Sequence, residues 1–145
     1  MAHGAASALS ALLLAVTILA MTGCATHAPD RPDDARADRL ARDWLALIDR
    51  GEYTRSWQQA SKLFQSGIAR PAWVEAVEAA RHGSGAPTER ALISVARTQK
   101  LPDVPENDYV VLVYASRFDN HRAVQETVTL VREDEALKAA GYFLR

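Results

Sequence analysis

Between Asn107 and Arg145 the chain carries three segments that read as strands of one antiparallel sheet. The run from Val110 to Phe118, VVLVYASRF, is dense in β-branched and aromatic residues, and the run from Ala123 to Arg132, AVQETVTLVR, alternates with period two. Asp119, Asn120 and His121 lie between them, and short polar residues of this kind tolerate left-handed backbone angles and bond their own loop. A hairpin is expected, with Phe118 opposite Val124. In that register Val110, Leu112, Tyr114, Ser116 and Phe118 share a face with Val124, Glu126, Val128 and Leu130, and that face should meet the core. A third strand, Leu137 to Leu144, follows the acidic turn at Glu133, Asp134 and Glu135, so the strands should form a meander.

A sheet with one apolar face needs a cover, and the preceding residues supply it. Asp33 and Asp34 suit a helix start, and Leu40, Trp44, Leu47 and Ile48 recur at helical spacing up to Gly51. A second helix is expected over Tyr53 to Gln65, with Tyr53, Trp57, Ala60 and Phe64 on one side. Pro71 suits the first turn of a third, striped by Trp73, Val77 and Ala80 and ended by Gly83 and Gly85. Glu89 to Leu101 reads as the first long strand, and Pro102 and Pro105 keep the connection after it out of the sheet. The expected fold class is therefore α+β, with about three N-terminal helices packed on a roughly four-stranded antiparallel sheet.

The amino terminus does not belong to that domain. Ala5 to Met21 holds no charged residue, is too short for a comfortable membrane span, and runs into Thr22, Gly23 and Cys24. Residues 1–23 are read as a signal peptide of the lipoprotein type, Cys24 as the lipidated residue, 24–34 as a tether, and 35–145 as a single domain. Met21-Thr22-Gly23-Cys24 resembles the lipobox of bacterial lipoproteins, and the only cysteine of the chain falls at the position lipidation requires. Ala25, which is not Asp, favours the periplasmic side of the outer membrane over inner-membrane retention. An ordinary signal peptide with an incidental cysteine, leaving a soluble periplasmic protein, is the alternative.

With 145 residues there is no room for a second domain of ordinary size, and a net charge of −1 without a basic block gives nucleic acid no purchase. A lone cysteine excludes an internal disulfide and a multi-cysteine zinc site. His82 and His121 have no second ligand at a useful spacing, so no metal and no cofactor is expected.

Glu126 is the one residue that alternation places, charged, among apolar neighbours. Two readings are open. As a base with a raised pKa it would transfer protons, with Tyr114 or Tyr142 as hydrogen-bond donor. As a structural group it would pair with Arg81 or Arg90. Trp44, Trp57 and Trp73, one per helix, likewise either line a ligand cavity or pack the helices on the sheet.

The run ARDWLALIDRGEYTRSWQQAS, the later GAPTERAL, LPDVPENDYVVLVYASRF, QETVTLV and the closing AGYFLR resemble the bacterial domain of unknown function numbered four-thousand-nineteen, over about Ala41 to Arg145. Where that family commonly has an acidic-glycine turn leading to Trp-Arg, this chain has Glu135, Ala136, Leu137 and Lys138. The resemblance implies a cone-shaped α+β domain with a curved sheet, similar to nuclear transport factor two and ketosteroid isomerase. It implies no activity.

The function expected is that of a non-catalytic, lipid-anchored envelope domain binding a small apolar ligand or another envelope protein through the concave side of its sheet. The alternative is a small isomerase- or dehydratase-like enzyme using Glu126. A homodimer through the open sheet face is a third possibility, for which Tyr109, Val111, Val113 and Val131 would be partly exposed.

Overall fold

The computed structural model describes residues 32–145. The expected signal peptide, Cys24 and the tether as far as Arg31 lie outside the described residues. Helix α1 (Pro32–Asp49) starts within the stretch expected to be tether. Pro32 opens it, and Asp33 and Asp34 occupy the first turn, where carboxylates meet the positive end of the helix dipole. Asp34 also accepts from Arg97 Nε and Nη2 at 3.0 and 2.6 Å, which fixes the start of the helix to the sheet.

The second expected helix is two. After α2 (Tyr53–Gln59) the backbone is extended at Ala60 and Ser61, and α3 (Lys62–Gly67) follows. Ser61 breaks the run because its side chain caps α3, accepting from Phe64 N, while its own N–H donates 2.8 Å to the carbonyl of Ala139. A continuous helix would forgo both bonds. Helix α4 (Arg70–Arg81) carries Pro71 in its first turn, and His82 caps its C-terminus.

Strands β1 (Pro87–Thr98), β2 (Tyr109–Phe118), β3 (Ala123–Glu133) and β4 (Ala136–Leu144) form one antiparallel meander in the order β1-β2-β3-β4. The first strand begins two residues earlier and stops three earlier than the alternation suggests. The β2–β3 register also differs from expectation: Ser116, not Phe118, faces Val124, and Phe118 N bonds to Arg122 O across a tighter turn of three residues, Asp119 to His121. A shift of two keeps every side chain on its expected face, so Val110, Leu112, Tyr114, Val128 and Leu130 still point into the core. Irregularities between Leu92 and Ser94 and between Thr129 and Leu130 interrupt the outer ladders, and such bulges bend and twist the strands that carry them. At the β3–β4 turn Asp134 and Glu135 both take positive φ, 48° and 63°, as a tight two-residue hairpin requires.

All four helices cover one face. Ala37, Ala41, Trp44, Leu45 and Ile48 from α1 and Trp73 and Val77 from α4 meet the inward residues of β2 and β3. At roughly 1.5–3 kcal/mol for each fully buried large aliphatic or aromatic side chain, this face supplies the main drive to fold.

Candidate functional site

Glu126 lies on an interior strand with its carboxylate directed under the helices. Its cross-strand partner on β2 is Tyr114, and Ser116 and Tyr142 are the same-face diagonal neighbours on β2 and β4. Arg90 enters from β1, where it pairs with Ser116, and Arg81 descends from the last turn of α4. Asp49 ends α1, following Ala37, Ala41 and Leu45 at intervals of four on the buried side of that helix.

These elements bring two carboxylates and two guanidinium groups together. Glu126 Oε2 accepts from Arg90 Nε at 2.7 Å and from Ser116 Oγ at 2.5 Å. Its Oε1 accepts from Tyr142 Oη at 2.8 Å, Arg90 Nη2 at 3.2 Å and Arg81 Nη2 at 3.4 Å. Asp49 takes Arg81 Nη2 at 2.6 Å and Arg90 Nη1 and Nη2 at 2.8 and 3.1 Å. The Arg81 guanidinium also stands 4.5 Å over the Phe118 ring, a cation–π contact with charge already withdrawn from water. The formal charges cancel, and a carboxylate at a helix C-terminus, disfavoured by the dipole, is offset by two arginines.

Burial works against the Arg90 charge, but its hydrogen bonds to Asp49 and Glu126 outweigh this and raise its pKa. Burial, and then the charge of Glu126, push the Tyr142 hydroxyl well above its ordinary value, so it stays a neutral donor.

What this arrangement can do chemically follows from its saturation. Five donors converge on the two oxygens of Glu126, and the residue is 0 % exposed, so no water-sized space touches it. A general base needs a lone pair free for substrate and a substrate within hydrogen-bond reach. Glu126 has neither in this state. Of the two expected partners both are present, Arg81 and Arg90 together.

The remaining predicted residues divide. Tyr114 faces Glu126 but its hydroxyl donates 2.8 Å to Asp38 on α1, so it does not belong to the Glu126 cluster. Trp44 and Trp73, each 5 % exposed, stack with ring centres 5.9 Å apart, and Phe64 and Tyr142 meet them edge-on. Their indole N–H groups both end on Ser56, at its carbonyl (2.9 Å) and its hydroxyl (3.0 Å). Trp57 is half-buried and donates to Ile68 O at 2.8 Å, away from that stack. The space between helices and sheet where a ligand was expected is thus occupied by this cluster. Among the described residues no group of three or more His, Cys, Asp or Glu side chains is placed to hold a metal ion, and no helix is long and apolar enough to cross a membrane.

A small crevice of about 140 Å³ remains between α1 and the β3–β4 side, lined by Leu40, Trp44, Leu130 and Lys138; the larger openings lie at the surface. A cleft of about 470 Å³ is lined by Arg97, Gln99, Asp108, Tyr109 and Arg132 at the end of the sheet near the start of α1. A groove of about 340 Å³ lies on the outer face, where Leu101, Pro102 and Val104 of the β1–β2 connection approach Thr129, Gly141 and Phe143. The Tyr109 hydroxyl holds that connection through Pro105 O at 2.6 Å. Tyr109 and Val131, expected as partly exposed, are therefore buried.

Sequence reasoning missed Asp49, and missed Ser116 and Asp38 as partners. The signal for Asp49 was present: it continues the four-residue row of buried α1 positions, so its carboxylate had to point inward.

An α+β domain whose central polar cluster is a closed ion-pair lock is what fold and site together define. Residues 40–142 match the model of a family described as "Protein of unknown function (DUF4019)", and the chain belongs to that family. Comparison with curated proteins and with solved structures gives no match.

Proposed function

We propose that the chain is a non-catalytic module of the bacterial cell envelope, held by a lipid on Cys24 at the periplasmic side of the outer membrane, which acts by binding another envelope protein through its outer surface. The observation that carries the non-catalytic reading is the saturation of Glu126: each candidate for chemistry in the core is committed to a structural partner. The helices-first, meander-after order supports the further reading that the domain is related to the cone-shaped proteins similar to nuclear transport factor two. The polar cleft between Arg97, Asp108 and Arg132 supports a hydrogen-bonding partner, since paired charges and amides there suit a peptide better than an apolar small molecule.

Cell fractionation tests the anchor. The native chain is expected with the outer membrane, and Cys24→Ser in the soluble periplasm. A native chain found in the soluble periplasm would sink the lipid reading. For the binding surface, a photo-reactive residue at Gln99 should capture one envelope protein in cells, and one at the exposed Glu75 on α4 should not. Equal capture at both positions, or none at either, counts against the cleft.

A further inference from the structure

The outer face of the sheet holds both large hydrophobic residues that are exposed among the described residues, Phe143 at 65 % and Val104 at 36 %. Both line the same groove, and none of its lining residues is charged. The whole sequence contains only three lysines, and two of them, Lys62 and Lys100, sit next to lining residues of this groove. Lys62 precedes Leu63 and Lys100 precedes Leu101, each a lining residue, whereas Lys138 is held by Glu133 at 2.7 Å and lines a separate crevice beside Trp44 and Leu130. Lys62 and Lys100 reach far into solvent, with 80 % and 81 % of their side chains exposed. Their contacts with Asp134 at 3.8 Å and Glu106 at 3.0 Å are surface pairs, which bind weakly and exchange readily. An uncharged groove with a projecting aromatic ring has the chemistry of a surface that rests on lipid: the ring enters the headgroup boundary, and the long stems of Lys62 and Lys100 let their ammonium groups leave Asp134 and Glu106 for phosphates.

Chain length supplies the second argument. The ion pair between Asp34 and Arg97 fixes the start of α1 beside the end of β1, and only four residues further on Leu101 forms the rim of the groove. From Cys24 to Pro32 is eight residue steps, at most about 28 Å when fully extended, whereas a domain of this size is roughly 30–35 Å across. A lipid on Cys24 therefore keeps this end of the sheet within about 28 Å of the bilayer.

We propose that the outer-face groove seats the domain on the membrane, with Phe143 and Val104 at the headgroup boundary and Lys62 and Lys100 facing anionic lipid. This rests on the lipid-anchor reading above.

The test uses the full chain recovered from bacterial envelopes, with mass spectrometry of the N-terminal peptide reporting the lipid on Cys24. In vesicles of phosphatidylethanolamine and phosphatidylglycerol brominated along their acyl chains, the Phe143→Trp variant should lose the emission its new indole contributes. The native chain, whose Trp44 and Trp73 are core residues and whose half-buried Trp57 packs on the helix-covered side, should keep its emission. Adding Lys62→Glu and Lys100→Glu should restore most of the lost signal. A lipidated protein whose indole at position 143 is equally bright in brominated and ordinary vesicles overturns the groove proposal and leaves the anchor standing. The same result with a dimer mass by light scattering assigns the face to a second copy and overturns it too. An unmodified Cys24 with the chain in the soluble fraction overturns the anchor, and this proposal with it.

Discussion

The Tyr114 hydroxyl donates to Asp38 Oδ1 at 2.8 Å, although Tyr114 sits directly across the ladder from Glu126. The ring spans from the sheet to α1, and Arg42 closes the contact: its Nε bonds both oxygens of Asp38, at 2.9 and 3.1 Å, and its guanidinium lies 5.1 Å above the Tyr114 ring. Arg42 Nη1 also reaches the Arg90 carbonyl at 3.2 Å. This latch fastens the middle of the first helix to β1 and β2 without a side-chain hydrogen bond to the Glu126 cluster, which it meets only at the Arg90 backbone carbonyl. Tyr114→Phe should therefore lower stability by about 1.5–3 kcal/mol, the range for a hydrogen bond to a charged group, with the Glu126 cluster intact. Urea unfolding measures the loss, and a double-mutant cycle with Glu126→Gln should show additivity. Coupling between the two would mean that the latch and the cluster are one unit.

Glu126→Gln removes one of two negative charges from a cluster that keeps both arginines. The amide is close in shape, so the penalty is electrostatic: a buried, partly uncompensated positive charge. Breaking a buried pair this way costs about 3–5 kcal/mol, and a comparable fall is expected for Asp49→Asn. Chemical denaturation checks both. A Glu126→Gln protein with native stability and abolished function would assign the carboxylate to chemistry and overturn the structural role.

Much of the fold was legible because its signals are local. Period two in β3 and the Val-rich run of β2 depend on side chains alternating across a sheet, and they placed Glu126 on the inner face even though the register was displaced by two. The split between α2 and α3 was not legible, since Tyr53 to Gln65 keeps helical periodicity throughout. What breaks it is Ser61, whose backbone N–H bonds Ala139 almost eighty residues later, a tertiary contact that no window of sequence contains. The cluster lies between these cases. Glu126, Arg81, Arg90 and Tyr142 stood out as charged or polar groups needing partners, but Asp49 went unnoticed at a helix end, where carboxylates are ordinarily solvated.

Stability should fall at high pH, and Tyr142 should account for part of the slope. Burial first, then the Glu126 charge, raises the Tyr142 pKa above the 10.0 of a free tyrosine, and burial followed by Asp38 does the same at Tyr114. Above pH 10 the unfolded chain therefore releases protons that the folded chain retains. The stabilisation is complete below the unfolded value and is lost progressively as pH rises beyond it. Melting temperature followed from pH 8 to 11 should turn downward near 10, and Tyr142→Phe should flatten that turn while lowering stability at neutral pH. An unchanged slope in the variant would show that Tyr142 is not held neutral by the cluster.

The corner between α4 and β1 offers a test in which backbone strain and side-chain contact can be separated. Gly83 and Gly85 both take positive φ, 67° and 72°, a region in which a Cβ is disfavoured. Around Gly83 there is open space, so Gly83→Ala should cost only the backbone term, about 1–2 kcal/mol. At Gly85 an added Cβ would lie 2.7 Å from Asp119 Cβ and 2.9 Å from its Oδ2. Asp119 cannot simply move away, because Oδ2 accepts from Ala86 N at 2.9 Å and its own N–H donates to Ala86 O at 3.0 Å, joining the corner to the β2–β3 turn. Gly85→Ala should thus destabilise clearly more than Gly83→Ala, by the backbone term plus the loss of one or both of these bonds. Thermal melts of the two variants side by side measure the difference. Equal losses would mean that the Asp119 clamp gives way without cost, and that the corner is held by Asn120, which donates to Gly83 O at 3.0 Å.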